Sequence, residues 1–160
     1  MNEATELSVV RGSSIAGELS DAECAILAGV VTRRTLKNEE ILIEEDQIDH
    51  CLYVIVSGAL EVCRHAGGGW VALHVLKKGD LAGELGFIDG QPHSASLRSI
   101  GPTEVFILER SQFESLLERH PKVIYAVMRT ILRTVHAILR RMNLQFVELS
   151  NYITKQHGRY

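Results

Sequence analysis

Residues 79–96 read Gly79-Asp80-Leu81-Ala82-Gly83-Glu84-Leu85-Gly86-Phe87-Ile88-Asp89-Gly90-Gln91-Pro92-His93-Ser94-Ala95-Ser96. The stretch joins one strand-like segment, Trp70 to Leu76, to another, Ala95 to Leu97, and it holds a single helical turn that begins at Gly83-Glu84. The first backbone N–H groups of such a turn have no partner inside it and point outward, which attracts anions. Gly83 lets a ligand approach the backbone, and the Glu84 carboxylate can accept hydrogen bonds from a sugar hydroxyl. A phosphate and a ribose can be read together there. The plainer reading is that Glu84 only caps the turn.

Outward from this loop the pattern is short and β-like. Thr35-Leu36, Ile41 to Ile43, Leu52 to Val56, Ala59 to Arg64, Trp70 to Leu76, Ala95 to Leu97 and Val105 to Leu108 are separated by turn signals at Asn38, Asp46 to Asp49, Ser57-Gly58, Gly67 to Gly69, Gly79-Asp80, Gly90 to Pro92 and Gly101-Pro102. The spacing predicts a mainly β chain with flanking helices, folded as a double-stranded β-helix, or jelly roll. No segment repeats another, and no helix stands between successive strands, which disfavours a parallel βαβ sheet.

Before the strands, residues 1–18 form an extension with no periodicity, and Ser20-Asp21-Ala22-Glu23 is a capping box opening a short helix. The roll with its flanking short helices spans 19–121. Near its end Ser111-Gln112-Phe113-Glu114 is a second capping signature, predicting about two helical turns that stop near Pro121. A long helix over 122–150 follows. Its apolar residues step by four and three through Ile124, Met128, Ile131, Val135, Ile138 and Met142, then Gln145 and Leu149, a heptad seam. A second line, Tyr125, Leu132, Leu139 and Phe146, runs beside it. One edge can meet a twin helix and the other can lie on the roll; the Ile124-to-Leu149 seam is assigned to a homodimer, with Gln145 fixing register. A helix packed only against its own domain is the plainer alternative. Residues 151–160 are a tail, too short for a winged helix-turn-helix, so sequence-specific DNA binding is not expected of this chain.

Composition narrows the function classes. The 160 residues, 46% hydrophobic and 23% charged, suit one ordinary domain. No apolar run approaches the length of a membrane span and the first residues do not resemble a secretory signal, so a cytoplasmic protein without membrane contact is expected. Residues 1–121 carry 10 Lys/Arg against 19 Asp/Glu, and residues 122–160 carry 7 against 1. Such a basic helix is ordinarily a solvated face. Cys24, Cys51 and Cys63 lack zinc spacing and read as reduced apolar fillers. The remaining histidines show no His-x-His pair with a following Glu, which leaves a metal-binding cupin unsupported, and no Ser/His/Asp or Cys/His arrangement is visible. No metal, cofactor or catalysis is expected.

The residues of the loop resemble the cyclic nucleotide-binding domain family of bacterial catabolite-activator-like regulators, protein kinase A regulatory subunits and gated channels. The family's phosphate-binding cassette reads roughly Gly-Glu-Leu-(Ala/Gly)-Leu, several residues, then Pro-Arg-(Ala/Ser/Thr)-Ala. Gly83-Glu84-Leu85-Gly86-Phe87 and Pro92-His93-Ser94-Ala95 stand in those places. The likeness extends over about residues 19–150, through Leu52-Tyr53-Val54-Ile55, Ser57-Gly58-Ala59-Leu60-Glu61-Val62, Gly79-Asp80 and the long helix.

The resemblance implies a regulatory module that senses cAMP or cGMP and relays the signal through its C-terminal helix. Glu84 would take the ribose 2'-hydroxyl, and the backbone of Gly83, Leu85 and Ala95 with the Ser94 hydroxyl would surround the cyclic phosphate. Val62 and Leu73 would be apolar walls, and the helix around Thr134 to Leu139, Ile138 included, would lie over the base. Two departures stand out. Glu45-Asp46 replaces a usual Gly-Asp, and His93 stands where the family has Arg. Arginine grips two phosphate oxygens with a permanent charge, whereas imidazole has one short arm and changes charge near neutrality. Losing a charge-assisted bond of roughly 1.5 to 3 kcal/mol predicts binding weaker by about one to two orders of magnitude. A weaker or pH-sensitive nucleotide site, a lapsed pocket kept as a dimeric interaction scaffold, and a site for another anion such as a cyclic dinucleotide all remain open.

Overall fold

The structure, a computed structural model, describes residues 3–157, and side chains of residues 6–155. The elements in chain order are α1 (Glu3–Arg11), a 3-10 turn (Ser14–Ala16), α2 (Asp21–Ala28), β1 (Val31–Leu36), β2 (Ile41–Ile43), β3 (Cys51–Ala66), β4 (Gly69–Lys77), β5 (Leu81–Ala82), α3 (Glu84–Asp89), β6 (Ser96–Glu109), α4 (Arg110–Glu114) and α5 (Pro121–His157). All strand pairings are antiparallel; the central order is β1-β6-β3-β4, with β2 on β6 and β5 on β3. The mainly β jelly roll with flanking helices is therefore the fold.

Two strands are longer than the turn signals suggested. The breaks read at Ser57-Gly58 and Gly101-Pro102 are irregularities inside β3 and β6, which pair from Cys51↔Glu109 to Cys63↔Ser96 with register shifts around Ser57. Gly58 has φ +80, and a Cβ there would stand 2.5 Å from Thr103 Oγ1 and 2.6 Å from the Pro102 carbonyl oxygen. Only glycine lets the two strands cross this closely. Thr103 Oγ1 donates to the Ala59 carbonyl over 3.0 Å, which pins the bend.

The bent sheet makes two cores. One, inside the roll, holds Leu36, Ile43, Tyr53, Ile55, Leu60, Leu97 and Val105, with Val62 packed at its margin. The other lies between the roll and its helices and gathers Val10, Ile15, Leu27, Leu52, Phe87, Phe106, Phe113, Val127 and Ile131. Val10 and Ile15 correct the expectation of an extension without periodicity: Glu3–Arg11 and Ser14–Ala16 are helical, and they are docked because these two side chains are buried. The α2 capping box forms as read, Ser20 Oγ accepting from Glu23 N and Glu23 Oε2 from Ser20 N.

Further corrections fall in the C-terminal third. β6 runs to Glu109, so α4 starts at Arg110; Ser111 lies inside it rather than capping it, and the helix is one turn long. Pro121 opens α5 as its first residue, where a missing N–H costs nothing. The helix continues without a break past position 150 to His157, so the expected 151–160 tail is helical as far as the structure describes it; residues 158–160 lie outside the described residues.

The seam assigned to a twin helix is also redrawn. Ile131 is 3% exposed and belongs to the intramolecular core, where Ile124 and Val135 pack partly beside it. The side that α5 turns outward is the neighbouring line, with Tyr125, Leu132 (68% exposed), Leu139 and Phe146 (70%) spaced by sevens, and Met128, Met142 and Leu149 three residues after members of that line. Gln145 consequently falls outside the apolar seam. Both lines have the same period, and only the direction in which the roll pulls the helix separates them.

Candidate functional site

Gly83 has φ +74 and precedes α3. A Cβ on it would stand 2.9 Å from the Cys51 carbonyl oxygen and 3.2 Å from Tyr53 Cδ2, so strand β3 and the left-handed turn both demand glycine. This turn sets Glu84 into the interior, only 8% exposed. Burial pushes its carboxyl above the ordinary range, while its own backbone N–H and nearby His93 pull the other way. A carboxylate is rarely buried without use.

His93 is brought to the same place from the other end of the loop and is likewise 8% exposed. Its ring sits over Gly86: a Cβ at that position would be 2.8 Å from His93 Cε1 and 3.3 Å from Nδ1. Its Nε2 lies 2.9 Å from Asp49 Oδ1. The backbone around it is fixed by His93 N donating to the Gln47 carbonyl and Asp46 N donating to the His93 carbonyl, both at 2.9 Å.

Asp49 was not among the expected site residues. Besides the imidazole it accepts from the Tyr53 hydroxyl over 2.9 Å and from Cys51 N over 3.1 Å. Burial, followed by the charge of Asp49, pushes the Tyr53 phenol up, and the same two causes in the same order raise the Cys51 thiol. The sequence gives little warning of this role, because an Asp in a turn four residues before a Tyr is commonplace.

The other expected residues are placed as follows. Leu85 is exposed on the first turn of α3, Ser94 is exposed after His93, and Ala95 is half-buried. Val62 pairs with Leu97 on one side and His74 on the other. Leu73 is the residue skipped where the β3–β4 register shifts, and it is half-exposed. On α5, Thr134 Oγ1 donates to the Thr130 carbonyl one turn back. Thr134 and Ile138 share a face with Arg141, whose Nη1 reaches His74 Nε2 on β4 at 3.1 Å, so this face of the helix is tied to the roll. Burial and then Arg141 lower the His74 pKa. At the second family departure, the left-handed residue is Asp46, with φ 65, rather than Glu45, whose carboxylate is bonded to Arg64.

A separate apolar cavity of about 230 Å³ lies behind α3, lined by Phe87, Phe113, Leu117, Ile124 and Met128 among others, and includes none of the cassette residues Gly83, Glu84 or His93. Among the described residues no cluster could hold a metal ion and no helix is long and apolar enough to cross a membrane.

The family model described as "Cyclic nucleotide-binding domain" matches residues 33–120. The chain belongs to the cyclic nucleotide-binding domain family. This domain is 27% identical over 146 residues to the cyclic AMP receptor protein of Thermus thermophilus, covering 90% of this chain and 68% of that protein. It is 29% identical over 119 residues to a cAMP-dependent protein kinase regulatory subunit of Mycosarcoma maydis, covering 67% of this chain but only 23% of that one. Among solved structures, the Thermus thermophilus catabolite activator protein superposes with a TM-score of 0.74 at 26% identity, over 86% of this chain and 63% of that one. A cyclic nucleotide-binding domain from Methylobacillus flagellatus shares the fold with a TM-score of 0.80 at 24% identity, over 91% and 83%. Both relatives are regulators by name, a cyclic AMP receptor protein and a protein kinase regulatory subunit.

Proposed function

We propose that this domain is a regulatory module, not an enzyme, that binds cAMP or cGMP at the α3 turn and passes the event to a partner through α5. The observation that carries the reading is Glu84, a carboxylate held inside the fold beside a glycine that no other residue can replace. Its acceptor oxygens suit a ribose hydroxyl, and a buried acceptor is favoured by a ligand that donates to it. Leu85, Ser94 and Ala95 border the same loop, Val62 and Leu73 come from the adjoining strands, and Thr134 and Ile138 ride on the helix tied to β4. The outward line of α5 supports a homodimer, since an apolar stripe of this length in water favours association.

Calorimetry with cAMP and cGMP tests the reading. Saturable heat with either one, lost in Glu84→Ala, supports it; no heat with either at millimolar concentration, at pH 6 and at pH 8, removes it. A second reading, a dimeric interaction scaffold with a lapsed pocket, is favoured by one feature: His93, in the position of the family's arginine, is already engaged by Asp49. A cyclic dinucleotide titrated in the same series tests the third reading, a site for a different anionic ligand.

A further inference from the structure

We propose that Arg141 and His74 form a pH-sensitive clasp between α5 and the roll, closed on a neutral imidazole and opened when His74 takes up a proton. The face that α5 turns to the roll is buried at Val123, Val127 and Ile131, half-buried at Thr134 and Ile138, and ends at half-buried Arg141. Residues 142–149 are all exposed, while the helix continues to His157. At 1.5 Å per residue, about 24 Å of helix lies beyond Arg141. The direction of that length follows from whether Arg141 holds.

Strand register places the other half of the clasp. Val62 pairs with His74 and Leu60 with Leu76. Leu60 belongs to the core inside the roll, with Val62 and Leu76 at its margin, so alternation sets the His74 ring on the roll's inner face. There Arg141 Nη1 stands 3.1 Å from His74 Nε2. A guanidinium can only donate, so the contact needs a lone pair on Nε2 and the ring proton on Nδ1. A second proton removes that lone pair and sets donor against donor and cation against cation.

The groups around His74 act in the same sense. From α5 it meets Arg141, along β4 Lys77, in the turn after β4 Asp80, and across on β3 the apolar Val62. Burial first and then the Arg141 charge hold its pKa below the ordinary histidine value, with Lys77 adding to them and Asp80 opposing. Asp80 is itself engaged, Oδ2 accepting from Lys77 N over 2.8 Å. Because the closed form has the lower pKa, the open form binds more protons. The clasp is therefore fully formed above the ordinary value of about 6.5 and is lost as pH falls through the lowered one.

The experiment is amide hydrogen exchange of the whole chain at pH 5 and pH 7.5, each rate divided by the intrinsic rate at that pH, with the histidine ring nitrogens followed by NMR. At pH 7.5 the His74 Nε2 should carry no proton. Relative exchange over residues 138–145 should be at least about tenfold faster at pH 5, since one proton allows up to about tenfold per pH unit, while residues 104–108 of β6 stay protected. His74→Gln, which keeps an acceptor for Arg141 but cannot charge, should exchange slowly at both pH values. Arg141→Ala should exchange fast at both and should raise the His74 pKa toward the ordinary value. A proton on Nε2 at pH 7.5, equal relative exchange at the two pH values, or an Arg141→Ala chain that matches wild type at pH 7.5 overturns the clasp. So does a loss of protection that spreads to residues 104–108, which marks general unfolding in acid. All of these outcomes are read on the chain alone, so the clasp and the nucleotide site stand or fall separately.

Discussion

Arg110 Nε donates to the Phe87 carbonyl oxygen over 2.6 Å, and Nη2 of the same guanidinium donates to the Gly86 carbonyl over 3.0 Å. These carbonyls belong to α3; that of Phe87 is one of the terminal acceptors a short helix leaves open, and that of Gly86 also accepts from Gly90 N over 3.0 Å. A planar fork reaches both at once and ties the loop that carries Glu84 to the start of α4. A lysine is a point charge and cannot span both. Arg110→Lys should therefore lower stability by about 1 kcal/mol and Arg110→Ala by about 1.5 to 3 kcal/mol, read as roughly 2–4 °C of melting temperature per kcal/mol. Both should weaken cAMP binding, since α3 loses its anchor. An Arg110→Ala protein with unchanged melting and unchanged affinity contradicts this.

Gly83 and Gly67 make a matched pair. Both have positive φ, +74 and +59, but a Cβ on Gly83 meets the Cys51 carbonyl at 2.9 Å, whereas around Gly67 there is nothing within 4 Å. Gly67→Ala carries only the backbone strain of a left-handed residue, about 1 kcal/mol. Gly83→Ala adds the clash and should cost about 2–3 kcal/mol or more, with nucleotide binding abolished because the α3 turn shifts. Chemical denaturation of the two variants side by side checks the difference, and equal losses refute it.

The residues differ in how openly the sequence declared them. The jelly roll was legible because strands and turns alternate at short intervals, and the cassette was legible because Gly83-Glu84 and Pro92 to Ala95 keep a recognisable spacing. Local pattern did not show that β3 and β6 pass straight through Ser57-Gly58 and Gly101-Pro102, since a tight crossing and a turn demand the same residues. It did not show the docking of residues 1–18, where Val10 and Ile15 are too sparse to make a period. Asp49 was illegible for a different reason: its three partners, Cys51, Tyr53 and His93, converge only when the loop between β2 and β3 folds back on the end of the cassette.

Glu84 is held in a conflict between folding and binding. Burial raises its pKa above the unfolded value, so in the window between the ordinary carboxylate value and the raised one the native state binds the extra proton. Stability then falls as pH rises through that window and stays lower above it. Glu84→Gln removes the buried charge. The variant should melt a few degrees above wild type at pH 8, by about 2–4 °C if the relief is about 1 kcal/mol, and the gap should close toward pH 4. Its cAMP affinity should drop about tenfold or more, since a charged acceptor is worth roughly 1.5–3 kcal/mol to a hydroxyl donor. A melting gap that widens as pH falls would reverse the sign and refute the assignment.

Ile131 and Leu132 are adjacent on α5 and face opposite duties: the first is 3% exposed against the roll's helical core, the second 68% exposed on the outward line. Ile131→Ala should therefore destabilise the domain by about 2–5 kcal/mol without a specific effect on association. Leu132→Ala should change the stability of a dilute sample by no more than about 0.5 kcal/mol, yet weaken self-association. The decisive variant is Leu132→Asp with Leu139→Asp, which puts two charges one heptad apart into the seam while leaving the roll's own contacts intact. Sedimentation velocity should show a dimer for wild type and a monomer for this double variant, both with cooperative melting. The outward line, not the Ile124–Ile131–Ile138 line, is then the interface. A wild-type monomer at every concentration, or a dimer that survives both aspartates, means that this stripe on α5 does not join two copies.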